Sequence, residues 1–351
     1  MHILHALFTR YRGGLEQAYV NDTEALASRG HRVTALLRSD APYREEAAAK
    51  ADAVLSVNPN GFYDILAILK IRKILKRLRP DCIVAHNGRA ITLLAYAAWG
   101  LKIPLLGVSH SYKTARAFHA DMLVVLSEHM REHFAEAGFS KPMAVIPNLM
   151  HLPSEPMFNV PAGRIVIGAI GRFSEEKGFA DFFQALAELK RTGVDFRVRL
   201  GGDGPELANL KALEASLGLG GSIEWLGWVK DKAGFYRGLN ILCIPSREDS
   251  FPMVLLETLA HGVPIVATDA PGPASILTDG VNGFLVPRRD AKSMAHALHR
   301  LATEPKLAEW MAAEGVLKAR DFGFENVAAQ WDEVLQEFLS PSPSPSGRGP
   351  G

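Results

Sequence analysis

Pro245-Ser246-Arg247-Glu248-Asp249-Ser250-Phe251-Pro252-Met253-Val254-Leu255-Leu256-Glu257-Thr258-Leu259-Ala260-His261-Gly262 is the stretch around which the chain is organised. It follows a short apolar run, Leu239 to Ile244, that predicts a buried strand. Pro252 suits the first position of a helix, where its missing N–H is no loss. Met253, Val254, Leu255, Leu256, Leu259 and Ala260 then fall at helical spacing, and Gly262 closes the segment. Asp249 is therefore expected in the loop before the helix, and Glu257 about one and a half turns inside it. Between them, unbonded amides near Met253 and Val254 and the helix dipole offer a seat for a phosphate. Carboxylates do not bind phosphate, but they accept hydrogen bonds from sugar hydroxyls. A carboxylate on each side of a phosphate seat suits a ligand with a hydroxylated ring at each end of a diphosphate, a nucleotide sugar. The bland alternative is a plain strand–loop–helix of a doubly wound sheet with a solvated acidic loop.

The 351 residues, 48% hydrophobic and 22% charged, suffice for two soluble domains. Net charge is +1, but residues 1–150 carry 19 Lys/Arg against 13 Asp/Glu, and the remainder 20 against 25. A basic first half is compatible with an acidic partner, such as anionic lipid, and equally with chance imbalance on a solvated surface. Nucleic acid is not an expected partner. Cys82 and Cys243 sit in apolar runs and read as reduced packing residues of a cytoplasmic protein. No apolar run is long enough to span a bilayer, and the N-terminus lacks a signal peptide's regions.

Short apolar runs alternate with amphipathic stretches throughout, the pattern of parallel-sheet α/β domains. His2 to Phe8 predicts the first strand, and Gly13-Gly14 lies between it and a helix from Leu15 to about Arg29. Phe62 to Arg79 predicts a helix with basic residues Lys70, Arg72, Lys73, Lys76, Arg77 and Arg79. It is either a packed helix with a charged outer face or a membrane-surface helix, and the two are compatible. His86 and His110 are each expected just past the C-terminal end of a strand, where α/β sheets place ligands. Leu152 to Gly163, with Pro153, Pro156 and Pro161, reads as a linker. Gly171-Arg172-Phe173-Ser174-Glu175-Glu176-Lys177-Gly178 precedes a helix, and Gly201-Gly202-Asp203-Gly204-Pro205 follows a strand. Asp269 to Pro273 is expected as a turn, Val281 to Pro287 as a hairpin-like turn, and Glu325 to Leu339 as the last helix. No Asp-x-Asp occurs, so no metal is expected, and Arg172, Lys177 and the helix start near Met253 are the charges available to a leaving diphosphate.

The acidic pair, with seven residues between its members, resembles the frame Pro-Ser-x-x-Glu-Gly-Phe-Pro-Leu-Val-Leu-Leu-Glu-Ala of retaining glycosyltransferases of family 4. The Gly-Arg-x-x-x-x-Lys-Gly loop and the Gly-Gly opening resemble that family too. The resemblance covers about residues 1–339 and departs from the family at Asp249 and Ser275, where glutamate is usual. Glu248 is next door but stands one residue too far from Glu257. The resemblance implies an α/β fold of GT-B type, two Rossmann-like doubly wound parallel-sheet domains facing across a cleft. It divides the chain into an acceptor domain (1–150), a linker (151–163), a nucleotide-sugar donor domain (164–322), a helix crossing back to the first domain (323–339) and a disordered tail (340–351).

By the same resemblance, His110 and Asp249 hold the transferred sugar, with His86 as the alternative histidine; Arg172 and Lys177 hold the diphosphate, and Glu257 holds the ribose. Gly13, Gly14, Gly171, Gly202, Val229, Phe251, Pro252, Met253 and Val254 complete the donor site. The implied reaction is metal-independent, retaining sugar transfer from a nucleotide sugar to a hydroxyl of a glycan, lipid-linked or small-molecule acceptor. The implied setting is cell-envelope polysaccharide, lipopolysaccharide or glycolipid synthesis, in a cytoplasmic protein with possible peripheral contact with the membrane's inner face. A GT-B-fold sugar epimerase or a catalytically silent nucleotide-sugar-binding protein are the alternatives. A Rossmann dehydrogenase is disfavoured, since no Gly-x-Gly-x-x-Gly follows the first strand.

Overall fold

Runs rich in valine, isoleucine and leucine become the strands of two all-parallel sheets, whose strands are apolar because helices cover both faces. The structure is a computed structural model and describes residues 1–155, 158 and 163–340. Residues 156, 157 and 159–162 of the expected linker, and 341–351 of the expected tail, lie outside the described residues. Two compact units are present: Met1–Val125 with Phe134–Ile146 and Val327 onward, and Leu126–His133 with Pro147–Asn326.

The first sheet and its helices follow in chain order as β1 (His2–Leu7), α1 (Gly14–Ser28), β2 (Arg32–Leu37), α2 (Arg44–Ala48), β3 (Ala53–Ser56), α3 (Ile65–Leu78), β4 (Cys82–His86), α4 (Asn87–Ala98), β5 (Leu105–Val108), β6 (Met122–Val125), α5 (Glu128–Glu136) and β7 (Met143–Val145). Its seven strands run β3-β2-β1-β4-β5-β6-β7, so the winding direction reverses between β1 and β4. Side chains alternate along each strand. Leu4 and Ala6 pack with Ile71, Leu75, Leu93 and Leu94 on one face, while Leu7 packs with Tyr19, Val20 and Leu37 on the other. Each fully buried leucine or isoleucine contributes about 1.5–3 kcal/mol.

The second unit follows as β8 (Ile165–Ile170), α6 (Phe179–Arg191), β9 (Phe196–Gly201), α7 (Leu207–Ser216), β10 (Ile223–Gly227), α8 (Lys232–Arg237), β11 (Ile241–Ile244), α9 (Met253–Ala260), β12 (Ile265–Thr268), α10 (Pro271–Ile276), β13 (Phe284–Val286), α11 (Ala291–Thr303) and α12 (Pro305–Ala319). The last helix, α13, is Phe324–Leu339. Six strands run β10-β9-β8-β11-β12-β13, with the reversal between β8 and β11. Phe182, Phe183, Leu186 and Leu189 of α6 pack on Ile165, Ile167 and Ala169 of β8.

Four local expectations are corrected. The helix expected from Phe62 starts at Ile65, because the Asp64 side chain accepts from the Ala67 N–H and caps it there. His86 is the last residue of β4, not a residue beyond it, and is fully buried. Residues 271–276 form α10 instead of a turn, with Pro271 supplying a preset φ at its start. The expected hairpin-like turn at 281–287 contains β13, which pairs parallel with β12 (Val266 with Phe284) and completes the sheet.

Candidate active site

In the second unit, the reversal between β8 and β11 brings together the loops that leave their C-terminal ends, the place where open α/β sheets bind ligands. One loop is Gly171–Gly178 and the other Pro245–Pro252. The backbone N–H groups of Arg247 and Glu248 both donate to the Glu176 carbonyl, at 2.8 and 3.1 Å. The Arg247 guanidinium grips both carboxylate oxygens of Asp181 at 2.8 and 2.9 Å and reaches Glu175 at 3.1 Å. Gly178 sits at φ +66°, and a Cβ there would stand 2.0 Å from the Pro245 carbonyl oxygen. Glycine is required because the two loops touch backbone to backbone.

That contact delivers Lys177 to Asp249. Lys177 Nζ donates to Asp249 Oδ2 at 2.6 Å, and Ser246 Oγ donates to the same oxygen at 3.2 Å. Asp249 is partly buried, whereas the neighbouring Glu248 is exposed and engages the opposite loop only through its backbone. The Gly272 N–H donates to the Asp249 carbonyl at 2.8 Å and fixes the loop from its other side.

Pro252 is extended (φ −73°, ψ 117°) and acts as the N-cap of α9, so it precedes the helix instead of occupying the expected first helical position. The first intrahelical bond runs from the Leu255 N–H to the Pro252 carbonyl, which leaves the Met253 and Val254 amides at the helix head for a ligand. The Phe251 side chain is buried edge-on to Phe322, and Met253 is buried, so only their backbone can face a ligand.

One turn into α9, Glu257 accepts from Lys232 Nζ at 2.5 Å and from the Tyr236 hydroxyl at 2.6 Å. Burial and the adjacent carboxylate push the Tyr236 hydroxyl well above its ordinary pKa, so it stays protonated and donates. Arg172 is exposed, and among the described residues it forms no ion pair. Gly171 donates its N–H to the Gly201 carbonyl at 3.0 Å. Gly202 sits at φ +133°, where a Cβ would meet the Gly171 carbonyl at 1.9 Å. Val229 lies against Gly201.

In the first unit, Gly13 is the N-cap of α1 and Gly14 its first residue, both exposed. Behind them Glu16 is buried, and burial raises its pKa. His110 stands two residues past β5 and is partly exposed. Its Nε2 lies 2.9 Å from His86 Nδ1, and His86 Nε2 lies 2.7 Å from His5 Nε2. His5 is stacked on Tyr19 with ring centroids 4.2 Å apart, and its Nδ1 meets Thr23 Oγ1 at 2.9 Å. Asp22 is buried beside them, accepts from Trp331 Nε1 at 3.1 Å, and has its pKa raised by burial to about 7. Among the described residues, no group of three His, Cys, Asp or Glu side chains is arranged to hold a metal ion.

The structure thus brings Lys177, Asp249 and the head of α9 together in one unit and places His110, Gly13 and Gly14 in the other. Sequence reading missed Ser246, Lys232 and Tyr236, which bond the acidic pair, and Arg247, which ties the Asp249 loop to Asp181 and Glu175. It also missed His5 and Thr23. The signal for His5 was present as a polar residue interrupting an otherwise apolar strand. Lys232 and Tyr236 lie more than twenty residues from Glu257, and nothing local marks them.

Residues 155–316 match the family described as glycosyl transferases group 1, and residues 12–152 match glycosyltransferase family 4. The chain is 30% identical over 323 residues to the lipopolysaccharide core biosynthesis glycosyltransferase LpsE of Rhizobium meliloti (strain 1021), covering 90% of this chain and 93% of that one. It is 28% identical to LpsD of the same organism, with 90% and 92% covered. Among solved structures, Anabaena Alr3699/HepE in complex with UDP and glucose superposes with a TM-score of 0.84 at 20% identity, covering 96% of this chain and 100% of that one.

Proposed function

The chain belongs to the group 1 glycosyltransferases of family 4, and from that premise we propose that its second unit seats a nucleotide-diphosphate sugar at the head of α9. It is a GT-B-fold glycosyltransferase. The observation that carries the donor reading is the Lys177–Asp249 pair in the two loops at the sheet's reversal point. Lys177 has three N–H donors, enough to keep Asp249 and still meet a phosphate oxygen. Arg172 and the Met253 and Val254 amides add charge and donors for the diphosphate, which is the chemistry that leaving-group departure requires. Asp249 accepts from a sugar hydroxyl, and Glu257, held by Lys232 and Tyr236, accepts from the ribose. His110 accepts from a hydroxyl of the transferred sugar.

In the proposed reaction the anomeric carbon–diphosphate bond breaks and a bond to the acceptor oxygen forms on the same face. The acceptor's proton passes to the departing diphosphate. No metal enters this scheme. The LpsE and LpsD relatives support an acceptor in cell-envelope polysaccharide, and a HepE structure in complex with UDP-glucose makes that compound the first donor to test. The test incubates the protein with UDP-, GDP- and ADP-sugars and measures release of nucleoside diphosphate. One donor should be hydrolysed slowly without acceptor. Tight binding of a donor with no turnover, even with acceptor present, would overturn the reading in favour of a silent binder.

We further propose peripheral contact with an anionic membrane through α3. Ala67, Ile71 and Leu75 bury its inner face, while Ile65, Leu66 and Leu69 are 70%, 79% and 58% exposed. Arg72 donates to the Ala97 and Trp99 carbonyls, which ties in Trp99, itself 79% exposed. Lys70, Lys73, Lys76 and Arg77 follow along the same helix. Apolar residues at one end and cations at the other suit insertion beside anionic headgroups. Among the described residues, no helix is long and apolar enough to cross a membrane.

A further inference from the structure

The histidines of the first unit come from three neighbouring strands. His5 lies in β1, His86 ends β4, and His110 follows β5, and those strands are adjacent in the sheet. Each contact in the series Thr23–His5–His86–His110 is 2.7–2.9 Å long, so each must hold one proton. Two bare nitrogens at that distance would repel.

The polarity of the series is set at its inner end. The Thr23 hydroxyl donates to the Tyr19 carbonyl at 2.8 Å, and a carbonyl can only accept. Thr23 Oγ1 has therefore spent its proton and must accept from His5 Nδ1–H. A neutral His5 protonated at Nδ1 has a bare Nε2, which accepts from His86 Nε2–H. His86 then has a bare Nδ1, which accepts from His110 Nε2–H. Asp22 does not compete for the His86 proton, because its nearer oxygen is 3.9 Å away, beyond hydrogen-bonding distance. Neutrality of all three rings agrees with the full burial of His5 and His86 and with the lowered pKa of His110. His5 is lowered to about 3 by burial and by His110, burial lowers His110 to about 4, and burial with its two histidine neighbours holds His86 well below the ordinary value.

We propose that Thr23, His5 and His86 are positioning residues that hold His110 in its Nε2–H tautomer, so that its Nδ1 meets a ligand purely as a hydrogen-bond acceptor. The partner it fits is a hydroxyl group that can donate, as on a neutral sugar ring; an anionic oxygen is refused. That last step rests on the proposed contact between His110 and the transferred sugar.

The test is long-range proton–nitrogen NMR on the full chain labelled at its histidine nitrogens. At neutral pH, His110 and His86 should show protonated Nε2 and His5 protonated Nδ1. Thr23→Val removes the terminal acceptor, so the His110 nitrogen signals should move toward each other as both tautomers populate. Donor turnover, measured as kcat/KM, should then fall by up to roughly tenfold, the worth of one hydrogen bond. Thr23→Ser should restore both. A wild-type His110 protonated at Nδ1, or signals unmoved by Thr23→Val, would overturn the inference. The expected signals and shifts, with turnover unchanged in Thr23→Val, would overturn instead the contact between His110 and the sugar.

Discussion

Lys177 and Asp249, 72 residues apart in sequence, meet at 2.6 Å, so the cation proposed for the diphosphate and the carboxylate proposed for the sugar are paired with each other. Each charge compensates the other. Removing one partner strands the other in a partly buried position, which costs more than the pair contributes.

Replacing Lys177 with alanine should therefore lower kcat by about a hundredfold or more, the usual consequence of losing one charge aimed at a developing anion. The donor KM should move much less, because the charge matters most as the diphosphate leaves. Steady-state kinetics on the accepted donor checks the split. A raised KM with unchanged kcat would reassign Lys177 to ground-state binding.

Asp249→Asn keeps the size but removes the charge facing Lys177, and turnover should fall by more than roughly tenfold. Glu248→Gln should stay within about twofold, since that side chain is exposed and its loop contact is made by the backbone. Parallel activity assays of the two variants decide the register. If Glu248→Gln were the more damaging, the acid facing the sugar would be misassigned.

Gly178→Ala and Gly218→Ala form a matched pair. Both glycines have left-handed φ, +66° and +64°, but only Gly178 has backbone in the way of a Cβ. Gly218→Ala should cost about 1 kcal/mol of stability. Gly178→Ala should cost more and also lower activity, because the two loops must part. Urea titrations of both variants separate strain from collision.

The lowered histidine pKa values predict acid lability. Their ordinary pKa is 6.5, and the folded values for His5 and His110 are about 3 and about 4. Between these limits the unfolded chain binds protons that the folded chain refuses, so stability is complete above pH 6.5 and falls as pH drops toward 4. Asp22 acts with the opposite sign. Its pKa rises from 3.8 to about 7, so over much of the same window the folded chain holds a proton that the unfolded chain has lost. Asp22→Asn should therefore steepen the pH dependence of the urea midpoint. A shallower dependence would mean that Asp22 is ionised in the folded protein.

Leu66→Glu combined with Leu69→Glu should abolish co-sedimentation with vesicles containing phosphatidylglycerol, and sugar transfer to a soluble acceptor should persist. Both residues are more than half exposed, so folding should be spared. Undiminished co-sedimentation would remove α3 from the membrane contact.

The alternation of apolar runs and amphipathic stretches made both parallel sheets legible, because a strand covered on both faces must be apolar along its whole length. The Asp249–Glu257 spacing was legible because strand–loop–helix geometry fixes it locally, whereas Lys177 stood out only through the family resemblance of its loop. What stayed hidden depends on which strands become neighbours. The β1–β4–β5 adjacency aligns three histidines, and the β8–β11 adjacency brings Arg247 to Asp181. The β13 strand was hidden for another reason. It has only three residues, and the glycine and proline that flank it read as a turn.

Trp331, near the end of the last helix, donates its indole N–H to the buried Asp22 of the first helix. The two residues are 309 apart, and both belong to the same compact unit. During synthesis the N-terminal sheet emerges first, yet the partner for its buried carboxylate is translated only after the entire second unit. At roughly 5–20 residues per second, that delay is on the order of half a minute. The first unit therefore cannot complete its native hydrogen bonding at Asp22 until the second has been synthesised.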